Sequence, residues 1–285
     1  YLSRGCRFYS VNDYPMLRRF CRAAPGKGAP GSDLEEPVTT ESTPAPALRC
    51  NGFTFKHFFV AHDRCAMKVG TDGVLLGAWA PVENAGRILD IGTGSGLIAL
   101  MLAQRASAAC EIDAVELDAD AAEQARENAA ASPWAARIRV VAKDIHQVAQ
   151  ENAARYRLIV SNPPYFEPAV ACRDAARTQA RYTGTLSHDA LLTCAAALLE
   201  EGGRFCVVLP YEIGERFIAT AQAGGWYPAR RVVIRDRPGK PLHRMLLALA
   251  RSPVTLHQDE LALRNEDGTY SAAFRRMITA FYLFY

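Results

Sequence analysis

The chain has 285 residues, 49% of them hydrophobic and 22% charged, with a formal net charge of +3. That is enough chain for one large core or two small ones; no run reaches the roughly 18 apolar residues of a membrane-spanning helix, and no apolar stretch of a secretory signal opens the sequence, so a soluble, cytoplasmic protein is expected. The mild basicity permits a nucleic-acid partner without arguing for one, because dedicated binding domains are usually more basic. The eight cysteines are scattered, with no CxxC pair and no histidine at ligand spacing, which favours reduced thiols and no metal site.

From Tyr1 to Ala47 the chain is rich in Pro, Gly, Ser and Thr, with no period of 3.6 or 2. Such a segment cannot bury enough apolar surface to offset its ordering entropy, and a mobile tail is expected. The basic MLRRF within it leaves a targeting signal as the lesser reading. Residues 48–285 are expected to form one domain. Its opening, NGFTFKHFFVAHDRCAMKVGTDGVLLGAW, is dense in aromatic and apolar residues. Strand-like runs follow at Arg87 to Gly92, Glu111 to Leu117, Arg137 to Asp144, Tyr156 to Asn162 and Gly203 to Pro210. Between them lie the helical segments GLIALMLAQRA, DADAAEQARENAAA and HDALLTCAAALLEE. Strands separated by helices of this length imply right-handed crossovers and a parallel sheet covered on both faces. Beyond Gly225, WYPARRVVIRD and HRMLLALAR read as a hairpin at the sheet edge.

The first chemical motif is LDIGTGSG, Leu89 to Gly96. It leaves a strand and enters a helix, so Gly92, Gly94 and Gly96 let backbone approach a ligand at the helix N-terminus. Leu97 stands where the dinucleotide fingerprint needs its third glycine, which disfavours NAD. Glu116 ends the next strand 20 positions after Gly96, suited to accept both hydroxyl hydrogens of a ribose. Asp144 ends the third strand, suited to an adenine amino group. The fourth strand breaks into Asn162, Pro163, Pro164 and Tyr165. Proline fixes φ and lacks an N–H, so the pair forces the chain out of the sheet. By itself this is either a turn or a rigid platform for something planar.

In this order and spacing, DIGTGSG, VELD, AKD and SNPPY resemble the class I S-adenosylmethionine-dependent methyltransferases, from roughly Asn51 onward. The resemblance implies a Rossmann-like α/β fold: a seven-stranded, mostly parallel sheet with an antiparallel last strand and helices on both faces. It implies S-adenosyl-L-methionine as cofactor, with Asp90 in the first motif, Gly92, Gly94 and Gly96 under the methionine part, Glu116 on the ribose and Asp144 near the adenine. NPPY looks like the motif of enzymes that methylate exocyclic or amide nitrogens. By that likeness the Asn162 side chain and the Pro163 carbonyl accept the amine hydrogens, and Tyr165 offers a stacking face for a base.

FTFKHFFVAHDRCAMKVGTDGVLLGAW, ARYTGTLSHDALL and YSAAFRRMITAFYLFY are similar to the bacterial enzymes that methylate N6 of the adenine next to the anticodon of valine tRNA. This implies the anticodon arm of a tRNA as partner. Lys68, Thr71 and Asp72 are candidate lid contacts; the other reading of TDG is a capping turn before VLLGAW. Arg173, Arg177 and Arg181, with Arg230, Arg231, Arg235, Arg237, Lys240 and Arg244, are either phosphate contacts or solvated charge. The six histidines form no ligand pattern. Three alternatives stay open: a protein glutamine N5-methyltransferase of the release-factor type, another N-directed RNA or DNA methyltransferase, and a binding module that has lost the chemistry. The release-factor type carries an ordered helical domain that Tyr1 to Ala47 does not resemble, and the intact glycines, Glu116, Asn162 and Tyr165 speak against lost chemistry.

Overall fold

A computed structural model describes residues 51–151, 155–164 and 186–284. The expected tail, Tyr165, and Arg173, Arg177 and Arg181 lie outside these residues. A short antiparallel pair, β1 (Gly52–Thr54) and β2 (Phe59–Ala61), precedes helix α1 (Thr71–Trp79). The alternating series then runs β3 (Arg87–Ile91), α2 (Leu97–Arg105), β4 (Glu111–Glu116), α3 (Ala119–Ala130), β5 (Ile138–Ala142), α4 (Ile145–Glu151) and β6 (Tyr156–Ser161). It continues with α5 (His188–Leu198), β7 (Leu199–Pro210), α6 (Tyr211–Ala223), the hairpin β8 (Tyr227–Arg235) and β9 (Leu242–Ala250), β10 (His257–Ala262), and α7 (Ala272–Ile278).

The large sheet has the order β10-β8-β9-β7-β6-β3-β4-β5. Strands β5, β4, β3, β6 and β7 are parallel, and β9 is antiparallel to both β7 and β8. The expected mostly parallel sheet is therefore present with one strand more than seven, because β10 adds in parallel to β8. The hairpin does not form the edge: β9 inserts beside β7, and β10 covers β8. HQDELA carries no apolar alternation to mark it as a strand. Ion pairs Arg230–Asp259 and Arg235–Glu260 join it to its neighbour instead.

Side chains of the central strands alternate between two buried layers. Ile88, Ile112, Leu158 and Val160 pack with residues of α1, α2 and α7, whereas Leu89, Ile91, Val115 and Ile159 pack with those of α5 and α6. A strand covered on both faces has no polar face to show, which is why these segments are largely apolar, interrupted by the buried Asp90 and Asp113. Two boundaries differ from expectation. Thr71, Asp72 and Gly73 form the first turn of α1, with Gly70 at the N-cap, so TDG is not a capping turn ahead of the helix. Helix α5 stops at Leu198, and LEEGG belongs to β7. Among the described residues no helix is long and apolar enough to cross a membrane, and Cys65, Cys110, Cys194 and Cys206 are free.

Candidate active site

Strand β3 is where the strand order reverses: β4 and β5 follow it on one side, β6 and β7 on the other. Open parallel sheets form a crevice beyond the carboxyl ends of their strands at such a point. The register makes those ends level, since Ile91 pairs with Val115 and with Ser161, and Glu116 with Ala142. The glycine loop after β3, Glu116, Asp144 and Asn162 thus follow or terminate four neighbouring strands.

Backbone hydrogen bonds shape the loop. Gly92 and Thr93 donate to the Val115 carbonyl at 2.9 and 3.1 Å, and Gly96 donates to Thr93 O at 2.9 Å. The Gly94 N–H donates to Glu116 Oε2 at 2.8 Å, and the Asp118 N–H to Glu116 Oε1 at 3.0 Å. Asp118 in turn caps α3 by accepting the Ala121 N–H at 2.8 Å. Glu116 therefore fixes the loop and the α3 entry together, and a carboxylate has lone pairs for further donors.

The three glycines do not share one role. Gly94 has φ +55°, and a Cβ added to it or to Gly92 would meet nothing within 4 Å, so this part of the loop presents bare backbone to open space. Gly96, at φ +81°, would place a Cβ 3.4 Å from that of Ala125, so its bareness serves close packing against α3 and the start of α2. Gly96→Ala is expected to lower stability by about 1–2 kcal/mol through the left-handed backbone alone. Urea unfolding measures this; an unchanged midpoint would show that the turn relaxes.

Asp90 is fully buried beneath the loop, and its Oδ2 accepts the Thr93 hydroxyl at 2.6 Å. Burial pushes its carboxyl up to about 7; hydrogen bonds from Thr93 and the Ala99 backbone oppose this, and the Glu116 charge adds to it. Asp144 Oδ1 accepts the His146 N–H at 2.8 Å and lies 2.8 Å from His146 Nδ1. Those bonds hold its carboxyl below the usual range, and one of its oxygens is engaged at the entry to α4. Past β6, Ser161 Oγ donates to Ile91 O at 2.9 Å across the switch point. Asn162 is half-buried, Pro163 buried and Pro164 exposed.

The remaining expectations fare differently. Asp72 accepts Arg244 Nε at 2.9 Å on both oxygens, which ties α1 to β9. Lys68 is exposed just ahead of Gly70. The hairpin arginines face acidic partners: Arg230 with Asp259, Arg231 with Glu215, Arg235 with Glu260, Arg237 with Asp236 and Arg244 with Asp72. Each of these five arginines is thus paired within the chain, and Lys240 is exposed. Two buried residues went unremarked in the sequence, Gln124 and Asn128 of α3, at 1% and 4% exposure. The signal was there: with Ala121 and Ala125 they occupy i, i+3, i+4 and i+7, the inward stripe of the helix.

Comparison with known proteins adds the following. A family model described as methyltransferase small domain matches residues 67–222, more than half of the chain. The tRNA1(Val) (adenine(37)-N6)-methyltransferase of Serratia proteamaculans is 61% identical over 249 residues, covering 87% of this chain and 96% of its own. The protein of the same name from Yersinia pestis is 61% identical over 240 residues, covering 84% and 97%. Among solved structures, a predicted O-methyltransferase from Agrobacterium tumefaciens is similar with a TM-score of 0.57 at 22% identity, over 74% of this chain and 96% of its own. At that identity the likeness carries the fold alone.

Proposed function

The chain belongs to the methyltransferase small domain family, and from that premise we propose that it transfers a methyl group from S-adenosylmethionine to N6 of an adenine in tRNA, the adenine next to the anticodon of valine tRNA. The observation that carries this reading is the pairing of Ile91 with Ser161. One residue further along each strand, the open glycine loop and Asn162 begin side by side, a cradle for a methyl donor next to an amide suited to an amine.

The residues present fit such a donor. Gly92 and Gly94 offer unobstructed backbone, and Glu116 stands at the loop with lone pairs beyond those given to Gly94 and Asp118. When bound, S-adenosylmethionine supplies a methyl on a positively charged sulfur, already activated for displacement. The chain's part is then mostly positioning. Glu116 would accept ribose hydroxyl hydrogens, and Asp90 would brace the loop through Thr93. Asp144, with one oxygen engaged by His146, would use the other near the adenine. On the substrate side an exocyclic amine is a poor nucleophile, because its lone pair is delocalised into the ring. The Asn162 side-chain oxygen and the Pro163 carbonyl would accept its two hydrogens, drawing the nitrogen toward sp³ geometry. Tyr165 would stack on the base.

Asp90 gives this account a pH signature. A cation above the loop favours the ionised carboxylate, so cofactor binding should release a proton, and affinity should rise as pH passes upward through about 7. For the free protein the sign is opposite. The folded value lies above the unfolded one, so the linked stability is full below the ordinary carboxyl value and is lost as pH rises toward 7. Asp90→Asn should flatten both dependences. Calorimetry in buffers of different ionisation heat counts the proton; no proton release between pH 6 and 8 would detach Asp90 from the cofactor.

The glutamine-amide reading shares NPPY, and a direct assay separates the two. Purified protein is given labelled S-adenosylmethionine with bulk tRNA or with release factor. Label on tRNA is expected; label on the protein alone would replace the proposed substrate.

A further inference from the structure

The segment ahead of the sheet, residues 51–70, is fastened at two ends. At its base, Lys56 N donates to Phe281 O at 2.8 Å and Lys56 Nζ to Thr279 O at 2.6 Å, with the Tyr282 ring against Phe53 and Phe55. At its far end, the Asn128 side chain pairs with the open edge of β2. Asn128 Oδ1 accepts the Ala61 N–H at 3.0 Å, and Nδ2 donates to Ala61 O at 2.8 Å. The same Nδ2 donates to Ser95 O at 2.8 Å, inside the glycine loop. One buried amide thus joins the pre-sheet segment to the loop. The match is chemically specific: one backbone N–H and two carbonyls require one acceptor and two donor hydrogens, which a primary amide supplies and a carboxylate or hydroxyl does not.

We propose that Asn128 is a positioning residue for methyl transfer: it holds the Ser95 turn of the glycine loop in its ligand-ready shape and makes the pre-sheet segment settle together with that loop when the cofactor binds. This rests on the cofactor assignment above. The chain contains its own control. One turn earlier, Gln124 Oε1 accepts the Arg64 N–H at 3.1 Å and Nε2 donates to Asp63 Oδ1 at 2.7 Å. Gln124 therefore grips the same segment, and its hydrogen bonds go to that segment, not to the glycine loop. A merely structural role predicts equal consequences for the two residues; coupling predicts unequal ones.

The test uses the full chain, with S-adenosylhomocysteine as probe in calorimetry and amide hydrogen exchange. Asn128→Asp, which keeps the acceptor and loses both donations, should weaken binding by roughly tenfold or more, and Gln124→Met by less than about twofold, although both should lower the melting temperature. In the unaltered protein, saturating probe should slow exchange of the Ala61 amide, and in Asn128→Asp that slowing should vanish at saturation. Equal weakening in both variants, or an Ala61 amide indifferent to saturating probe, would overturn the coupling. If Asn128→Asp does not fold, the exchange measurement on the unaltered protein decides alone. Absence of any binding to the unaltered protein would instead remove the cofactor assignment, and the coupling with it.

Discussion

Replacing Asn162 by alanine is expected to lower methyl transfer by roughly 100-fold or more at saturating cofactor, while affinity for S-adenosylmethionine changes by less than about twofold. The reason lies in where the residue stands. It begins the loop after β6, one position beyond Ser161, whose hydroxyl and backbone are already tied to Ile91 of β3. In the proposed role, its side-chain oxygen acts on the amine, and most strongly as positive charge develops on that nitrogen. Removing an interaction of that kind lowers the rate and spares the cofactor's binding. Asn162→Asp keeps acceptor oxygens and should retain more activity than alanine. Single-turnover kinetics beside calorimetry check this, and loss of rate and cofactor affinity in equal measure would mean that Asn162 holds the loop's shape instead.

The largest effect on stability is expected at the opposite end of the strands. Asp113 is 3% exposed near the start of β4, where an isolated carboxylate could not remain charged. It accepts Arg139 Nε at 2.7 Å and the Tyr156 hydroxyl at 2.6 Å, with Arg87 and Arg155 each at 3.3 Å. Asp113→Ala would leave three guanidinium groups facing one another around a buried phenol. The arginines left behind keep part of their exposure (35%, 62% and 30% for Arg87, Arg139 and Arg155), so the cost is that of the lost charge-assisted hydrogen bonds, about 2–3 kcal/mol, a fall in melting temperature of roughly 5–10 °C for a chain of this size. Acid should reveal the same contact. Burial by itself would raise the Asp113 carboxyl, but hydrogen bonds from Arg139 and Tyr156 and the charges of Arg139 and Arg87 outweigh it and hold the group below its ordinary 3.8. With the folded value depressed, its stabilisation is present above the unfolded value and is lost as pH falls through the folded one. Urea midpoints of Asp113→Asn and the unaltered protein should therefore differ at pH 7 and converge below pH 4; parallel curves would show that the network contributes through shape alone.

How much of this could be seen beforehand depends on the range of the interactions concerned. Strands β3 to β7 were legible because they are short runs rich in β-branched and aliphatic residues that alternate with alanine- and leucine-rich helices, the central ones buried on both faces. The glycine loop and Glu116 were legible because both are local, fixed by position relative to a strand end. Strand β10 was not, since it is held by β8 and by ion pairs rather than by an apolar face. The pairing of the hairpin arginines was not legible for a related reason: most of their partners are remote in sequence, Asp72 lying 172 positions from Arg244, although Asp236 adjoins Arg237. Asp144 shows that a polar residue at a strand end can cap the next helix, a role that its position relative to the strand does not announce. Gly96 resembles Gly94 in sequence and differs only in what its missing Cβ would touch, which no spacing rule contains. Asn128 sat in the inward stripe of α3, where a polar residue signals a bond to be found without naming the partner.

The central claim is that the glycine loop and Asn162, brought side by side at the switch point, act as one site on one atom. The most direct test is transfer of labelled methyl to tRNA lacking its own N6-methyladenosine, followed by nuclease digestion and mass analysis of the nucleosides. N6-methyladenosine, confined to the valine tRNA fraction and lost with Asn162→Ala, is the expected result. Methylation at another atom of the tRNA, or N6-methyladenosine formed equally well by Asn162→Ala, would contradict it.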